Sequence, residues 1–290
     1  MNLNEQQKIR IGACAWSFAD WRGNFYPPDL PEARWLEFYA RYLPTVEIDS
    51  TFYAAPSANS VRRWLELTPA PFRFSCKLPR EITHQCRLHD CRAQLSAFIA
   101  AIEPLAPKLH NVLVQLPPSF SPKEGKAPLR NFIAQLPEDF RFAIEFRHHG
   151  WHRPEIIHLL EKHRICWVWA DTSPLKERNL APFEFQPRTT DFLYVRLLGD
   201  YSDKYDRDGK HLHRYGKLLW KREAALESWA VKIESALPDV RSVYTYVNNH
   251  FEGFSLGTAQ RLAKRLGYDL ILPTTEEISG ASDDRDQMNL

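Results

Sequence analysis

The sequence predicts a single-domain (β/α)8 barrel, a TIM barrel of the α/β class, on three observations. Short β-rich runs alternate with helical patterns, as right-handed βαβ units on a parallel sheet do. The runs number eight, the count at which such a sheet closes on itself most economically. The first run ends in Ala13-Cys14-Ala15-Trp16-Ser17, with none of the glycines that usually form a phosphate loop after the first strand of an open, doubly wound sheet.

Taken in order, the first strand is expected at residues 9–14, followed by a helix at 32–43. The second, 45–49, sets Val46 and Ile48 against Glu47 and Asp49, with a helix at 58–67 behind it. The third, 72–77, sets Phe72, Phe74 and Cys76 against Arg73, Ser75 and Lys77, ahead of a helix at 88–106. The fourth, 111–116, leads to a helix at 129–135. The fifth, 141–146, alternates Phe142, Ile144 and Phe146 with Ala143, Glu145 and then Arg147, and a helix follows at 154–163. The sixth, 165–171, runs into a Pro-rich connection at 175–187. The seventh, 192–197, alternates Leu193, Val195 and Leu197 with Tyr194 and Arg196, and the long connection 200–216 leads to a helix at 217–237. The eighth, 242–248, precedes the last helix at 255–266. Barrel strands turn alternate residues to the helices and to the lumen, so each apolar row is expected outside and each polar row inside. The barrel is expected over 9–273, between a short N-terminal extension, 1–8, and an acidic, flexible tail, 274–290.

Composition sets the outer limits. Hydrophobic residues make up 44% and charged residues 26% of 290, which excludes a wholly disordered chain. The net charge of +2 gives no strongly basic signature of nucleic-acid binding. Acidic residues crowd the C-terminal end, leaving the body mildly cationic. The longest apolar runs, 97–102 and 165–170, fall far short of the ~20 residues that span a membrane, and the polar first residues lack an apolar signal core. A cytoplasmic protein without membrane association is expected. Five cysteines argue against a disulfide framework, and Cys14, Cys76 and Cys166 read as small buried hydrophobes.

The inward rows carry the functional signal. They place Glu47, Asp49, Lys77, Glu145, Arg147 and Arg196 around one axis, where an unpaired ion costs several kcal/mol. These groups must pair or reach water, and most stand at the C-terminal strand ends where barrel active sites form.

The same residues lie in motifs that resemble the YecE-like family (domain of unknown function 72). The resemblance begins at Gly12-Ala13-Cys14-Ala15-Trp16-Ser17-Phe18, Asp20-Trp21-Arg22-Gly23 and Phe25-Tyr26-Pro27. It continues through Val46 to Tyr53, Phe74 to Pro79, Ile82-Thr83-His84 and Gln115 to Phe120. It ends with Glu145-Phe146-Arg147-His148, Tyr194-Val195-Arg196 and Tyr246-Val247-Asn248-Asn249. It implies a TIM barrel, but no settled reaction. Asp49, His149, Leu198-Gly199 and His250 stand where the family pattern has Asn, Pro, His-Gly and Asp.

From this set, Glu47, Glu145 and Asp171 are the expected acid–base groups, since two carboxylates in different surroundings can divide acid and base roles. Lys77 is a further catalytic candidate, as base or amine nucleophile. Arg147 and Arg196 are expected to bind anionic groups, with Asp49, His84, Gln115, Asn248 and Asn249 as polar contacts. Trp16 would be a stacking wall, and His148 a proton shuttle near neutral pH. The aromatics Phe18, Trp21, Phe25 and Tyr26 could line the rim or anchor their own loop. No resident metal or cofactor is expected. The crowded run 84–91 holds four zinc-type ligands but cannot surround a tetrahedral ion. The remaining divalent-metal option is His148, Glu145, Asp171 and His250. The acidic loop 203–209 breaks the calcium pattern at Lys204 and Tyr215. That loop's Lys204, Arg207, Lys210 and Arg214, with the helix starting at Ser255 between Gly253 and Gly257, suggest a phosphate seat.

The functional expectation is hydrolase or lyase chemistry on a small polar substrate, phosphorylated or sugar-like, at the C-terminal mouth. The alternatives are a metal-dependent endonuclease-like barrel acting on nucleic acid and a non-catalytic ligand-binding barrel.

Overall fold

A single sheet curls almost closed, with all its strand pairs parallel. The computed structural model describes residues 8–172, 186–199 and 215–279. The strands are β1 (Ile9–Cys14), β2 (Thr45–Ile48), β3 (Arg73–Lys77), β4 (Leu109–Gln115), β5 (Phe142–Glu145), β6 (Cys166–Trp167), β7 (Trp169–Thr172), β8 (Phe192–Gly199) and β9 (Ser242–Val247). Their order in the sheet is β6-β5-β4-β3-β2-β1-β9-β8-β7. The two end strands are consecutive in the chain and separated by Val168 alone, so they are one stave broken at the seam. The lower half pairs with β5 and the upper half with β8. At the break, the Thr189 hydroxyl donates to Ile165 O (2.6 Å) and accepts from Trp167 N (2.8 Å), standing in for the missing ladder. The fold is therefore the expected TIM barrel, with its sixth strand split.

Eight α-helices are described: α1 (Trp35–Tyr42), α2 (Ala58–Glu66), α3 (Arg92–Ile102), α4 (Pro122–Ile133), α5 (Pro154–Lys162), α6 (Glu223–Ala236), α7 (Ser255–Arg265) and α8 (Thr275–Ser279). Three differ from the sequence expectation for local reasons. Helix α3 starts late because Arg87, Leu88 and Asp90 take positive φ values of 50°, 65° and 42°, a conformation no L-residue helix continues through. Helix α4 starts early, at a Ser121–Glu124 capping box with Pro122 in the first turn. Helix α6 begins at Glu223 rather than near 217. The acidic segment is helical in its first part, where Tyr42 donates its hydroxyl to Glu277 Oε1 at 3.0 Å. The Pro-rich connection and the loop carrying Asp203, Lys204, Asp206, Arg207, Lys210 and Arg214 lie almost wholly outside the described residues.

Two apolar layers flank the sheet. The outer one fills the space between strands and helices, and includes Val46, Ile48, Phe74, Cys76, Phe142, Ile144, Leu193 and Val195. The lumen holds Cys14, Leu113, Ala143, Cys166, Val168, Tyr194, Tyr244 and Tyr246. The alternation read from the sequence is thus the one the barrel uses. Halfway up, Tyr246 Oη meets Thr45 Oγ1 (2.7 Å) and Ser75 Oγ (2.8 Å), and Ser75 donates to Asn111 Oδ1 (2.7 Å). This polar girdle separates the two ends of the lumen. Gly12 is needed at the β1–β2 contact, since a Cβ there would lie 2.0 Å from Thr45 O. The five cysteines are free thiols. No helix among the described residues is long and apolar enough to cross a membrane.

Candidate functional site at the C-terminal mouth

Four neighbouring inward positions, on β2, β4, β5 and β8, build the floor of the mouth. Arg196 Nη2 donates to Glu47 Oε1 at 2.6 Å, and its Nη1 bonds Glu145 Oε2 and reaches Gln115 Oε1 at 3.3 Å. Arg147, just past β5, donates from Nε to Glu145 Oε1 (2.5 Å) and from Nη2 to Gln115 Oε1 (3.1 Å). Tyr194, two residues before Arg196 on the same face, donates its hydroxyl to Glu47 Oε2 at 2.6 Å. Every carboxylate oxygen of Glu47 and Glu145 is therefore engaged, and both residues are fully buried. Burial alone would push Glu145 up, but Arg147 and Arg196 outweigh it and hold the carboxyl down at about 2. A group so held is an anion at neutral pH, with each of its oxygens bonded to an arginine. Glu47 is engaged in the same way, by Arg196 and the Tyr194 hydroxyl.

Above this floor stands a second tier. Lys77 donates from Nζ to Asp49 Oδ1 at 3.1 Å and lies 4.0 Å from the centroid of the Phe52 ring. Its backbone N–H donates to Thr51 Oγ1 (2.9 Å), which fixes the turn after β2 against β3. The ammonium is thus gripped on two sides. Asp49 remains partly exposed; burial raises its pKa, but Lys77 and Arg196 lower it further, so it is held below the usual carboxylate range.

His84 completes the tier. It sits in the one-turn π-helix Glu81–Gln85 after β3, edge-on to Phe52 at 5.1 Å. Burial comes first and then the fields of Lys77, Arg147 and Arg80, against a weaker pull from Glu145; together they lower its pKa to about 4. The imidazole is neutral at pH 7. Its Nδ1 lies 2.8 Å from Thr83 Oγ1, whose own hydroxyl donates to Pro79 O (3.3 Å). With the Thr83 hydroxyl proton on Pro79 O, the His84 proton sits on Nδ1 and the lone pair on Nε2.

Several predicted residues stand elsewhere. Asp171 is not at the mouth: it points outward from β7, where Trp229 Nε1 of α6 donates to its Oδ2 at 3.0 Å. The strand break at Val168 does not change this parity, since the inward row runs Cys166, Val168, Ala170. The divalent set His148, Glu145, Asp171 and His250 is accordingly not assembled. Among the described residues, no group of three or more His, Cys, Asp or Glu side chains could hold a metal ion. Asn249 is buried and caps α7, accepting from Ser255 N at 2.9 Å, which occupies the helix start expected to seat phosphate. Asn248 continues the inward row of β9 and accepts from His250 N (3.0 Å). His148 Nδ1 accepts from Gly150 N at 3.0 Å and its ring stacks on His149, so it caps a turn beside the mouth. Trp16 is half-buried at the rim, edge-on to Trp64 at 6.1 Å. Trp21, Phe25 and Tyr26 are sealed into the wall, Tyr26 stacked on Trp35 at 5.0 Å.

Sequence reasoning did not single out Tyr194, Phe52 or Thr83 as part of this cluster. Tyr194 was within reach, since it shares a face with Arg196. Phe52 and Thr83 lie on irregular turns, where no periodicity reports direction.

Fold and site together define a (β/α)8 barrel whose C-terminal mouth is built on a buried Glu–Arg–Glu bridge beneath a tier of Lys77, Asp49 and His84. The chain belongs to the family described as "Protein of unknown function DUF72", whose pattern matches residues 10–279. It is 41% identical over 113 residues to YecE of Escherichia coli (strain K12), a match covering 39% of this chain and 41% of that protein. The chain thus spans less than half the length of that relative in the match. With YunF of Bacillus subtilis (strain 168) it shares 24% identity over 275 residues, 89% of this chain and 94% of that one. A crystal structure of a family protein from Thermotoga maritima superposes with a TM-score of 0.71 at 28% identity, over 89% of this chain and 99% of that one.

Proposed function

We propose that the mouth is an active site for hydrolysis of a small phosphorylated substrate. Lys77 and Arg147 hold the anionic group; as the water oxygen bonds to phosphorus and the ester P–O bond breaks, His84 Nε2 takes the water's proton and the departing oxygen leaves as an oxyanion that solvent protonates. The carrying observation is the state of His84, which lies in a net positive field although three carboxylates stand in the same cluster. Those carboxylates are paired with Lys77, Arg147 and Arg196, and at His84 the fields of Lys77, Arg147 and Arg80 exceed that of Glu145. Gln115, Glu47, Glu145, Tyr194 and Arg196 act through position, fixing Arg147 and closing the floor to water. Trp16, Phe52 and the exposed Tyr53 offer flat apolar surface to the uncharged part of a substrate.

The test is a panel of p-nitrophenyl phosphate, bis(p-nitrophenyl) phosphate and uncharged p-nitrophenyl glycosides. Turnover of the phosphate esters and not of the glycosides is expected. His84→Ala should lower kcat by about 100-fold with KM nearly kept, while Lys77→Met should act mainly on KM. Binding of the phosphate esters without turnover would assign the mouth to a non-catalytic ligand site instead.

A further inference from the structure

The opposite end of the lumen has a charge arrangement of its own. In the β3–β4 pairing, Phe74 is opposite Leu109 and Ser75 opposite Asn111, so His110 is the extra residue of a β-bulge. The bulge turns His110 inward while its neighbour Asn111 also stays inward on the polar girdle. The imidazole stacks on Tyr244 with ring centroids 3.5 Å apart and meets Phe192 edge-on at 4.9 Å. It is 7% exposed, and its Nε2 is buried without a hydrogen-bond partner, a costly condition for a polar atom.

Three arginines surround this ring pair. Arg10, on β1, stands in register with Tyr244, and its charge opposes the rise that burial imposes on the Tyr244 phenol. Arg73 opens β3, and Arg141, just before β5, lies 5.8 Å over the Phe192 ring. After burial, the fields of Arg141, Arg10 and Arg73 hold the His110 imidazole well below its ordinary range. None of the three forms an ion pair with a carboxylate among the described residues. Arg141 and Phe192 also line a cleft of about 910 Å³, walled further by Lys162, Arg164 and Phe140. Of its acidic residues, Asp191 is engaged by Arg241 at 3.4 Å, leaving Glu138.

We propose that this N-terminal opening is a second binding site, for a small ligand bearing phosphate groups. Arg10, Arg73 and Arg141 clamp the phosphates, and the cleft beside Phe192 and Phe140 seats the remainder. Guanidinium groups with no carboxylate partner bind phosphate oxygens bidentately and gain most from it when partly desolvated. The bulge supplies the aromatic floor, since only with His110 inward do the rings of His110, Tyr244 and Phe192 meet beneath the arginines.

Calorimetric titration with inorganic pyrophosphate tests the site, in the full chain carrying Lys77→Met so that mouth binding is suppressed. One saturable site is expected, weakened about tenfold or more by Arg141→Glu, an exposed position where folding is retained. His110→Phe, which keeps the stacking surface, should weaken it less. Absence of saturable binding, or binding indifferent to Arg141→Glu, would overturn the proposal. So would displacement of pyrophosphate by a single-stranded oligonucleotide at equal phosphate concentration, which would assign the face to nucleic acid. Loss of ester turnover at the mouth would leave this result untouched, because the two ends of the lumen are separated by the Tyr246 girdle.

Discussion

Arg196 and Glu47 meet at 2.6 Å with both side chains sealed from water, and the other arm of the same guanidinium holds Glu145. One cation thus serves two buried anions on different strands. Replacing it leaves Glu47 buried with only the Tyr194 hydroxyl and Glu145 with only Arg147, and stripping Glu47 of its counter-ion is the situation that makes breaking a buried ion pair costly. Arg196→Met should destabilise the barrel by about 3–5 kcal/mol in urea unfolding. The triple variant Arg196→Met, Glu47→Gln, Glu145→Gln should recover much of the loss, because it removes the charges together. A triple variant no more stable than the single one would show that the bridge is not the source of the cost.

The same bridge sets an acid limit. Glu145 titrates at about 2 in the folded protein, below the ~4.3 of an unfolded glutamate. The folded state therefore binds fewer protons than the unfolded one between those values. The stabilisation is complete above ~4.3 and is lost as pH falls through about 2. Stability measured by denaturant melts should fall through that window, and the fall should be shallower in Glu145→Gln. An identical acid limb in both proteins would remove Glu145 from the account.

How much of this was open to sequence reading depended on regularity. Glu47, Lys77, Glu145 and Arg196 could be gathered on one axis because strand alternation is strict and a barrel has one inside. Gln115 and Arg147 follow from the same register. Asp171 failed by that very rule: the inward row of its stave runs through Cys166, Val168 and Ala170, and the acidic residue is on the other face. His110 escaped for the opposite reason, since a bulge inverts parity locally and no side-chain pattern announces it. The division of labour within the mouth was also hidden. Only distances reveal that Glu145 spends both oxygens on arginines while His84 keeps a lone pair.

Asp171 makes that distinction measurable. It sits on the outer face with Trp229 Nε1 at 3.0 Å, and it opposes the lowering that burial imposes on Lys232, whose pKa falls to about 8. Asp171→Ala should leave a buried indole N–H without its acceptor and cost about 1–3 kcal/mol. Phosphate-ester turnover per folded molecule should be unchanged. A loss of kcat with stability intact would return Asp171 to the mouth and contradict its outward orientation.

The state of His84 can be read directly from its imidazole Cε1 resonance. Its folded value of about 4 lies below the ~6.5 of an unfolded histidine, so the folded state resists its protonation. The neutral ring's contribution to stability is full above ~6.5 and is lost as pH falls toward 4. His152, also lowered to about 4, mainly by burial, shares that window, so the melt alone does not isolate His84 and the resonance does. Between pH 8 and about 5.5 the Cε1 shift should hardly move. Lys77 supplies the second-largest cause of the lowering, after burial. Lys77→Met should therefore raise the midpoint, whereas Lys77→Arg, which keeps the charge, should leave it low. A wild-type midpoint near 6.5, or one indifferent to Lys77→Met, would mean the field at the mouth is not net positive, and the anion-binding reading would fall with it.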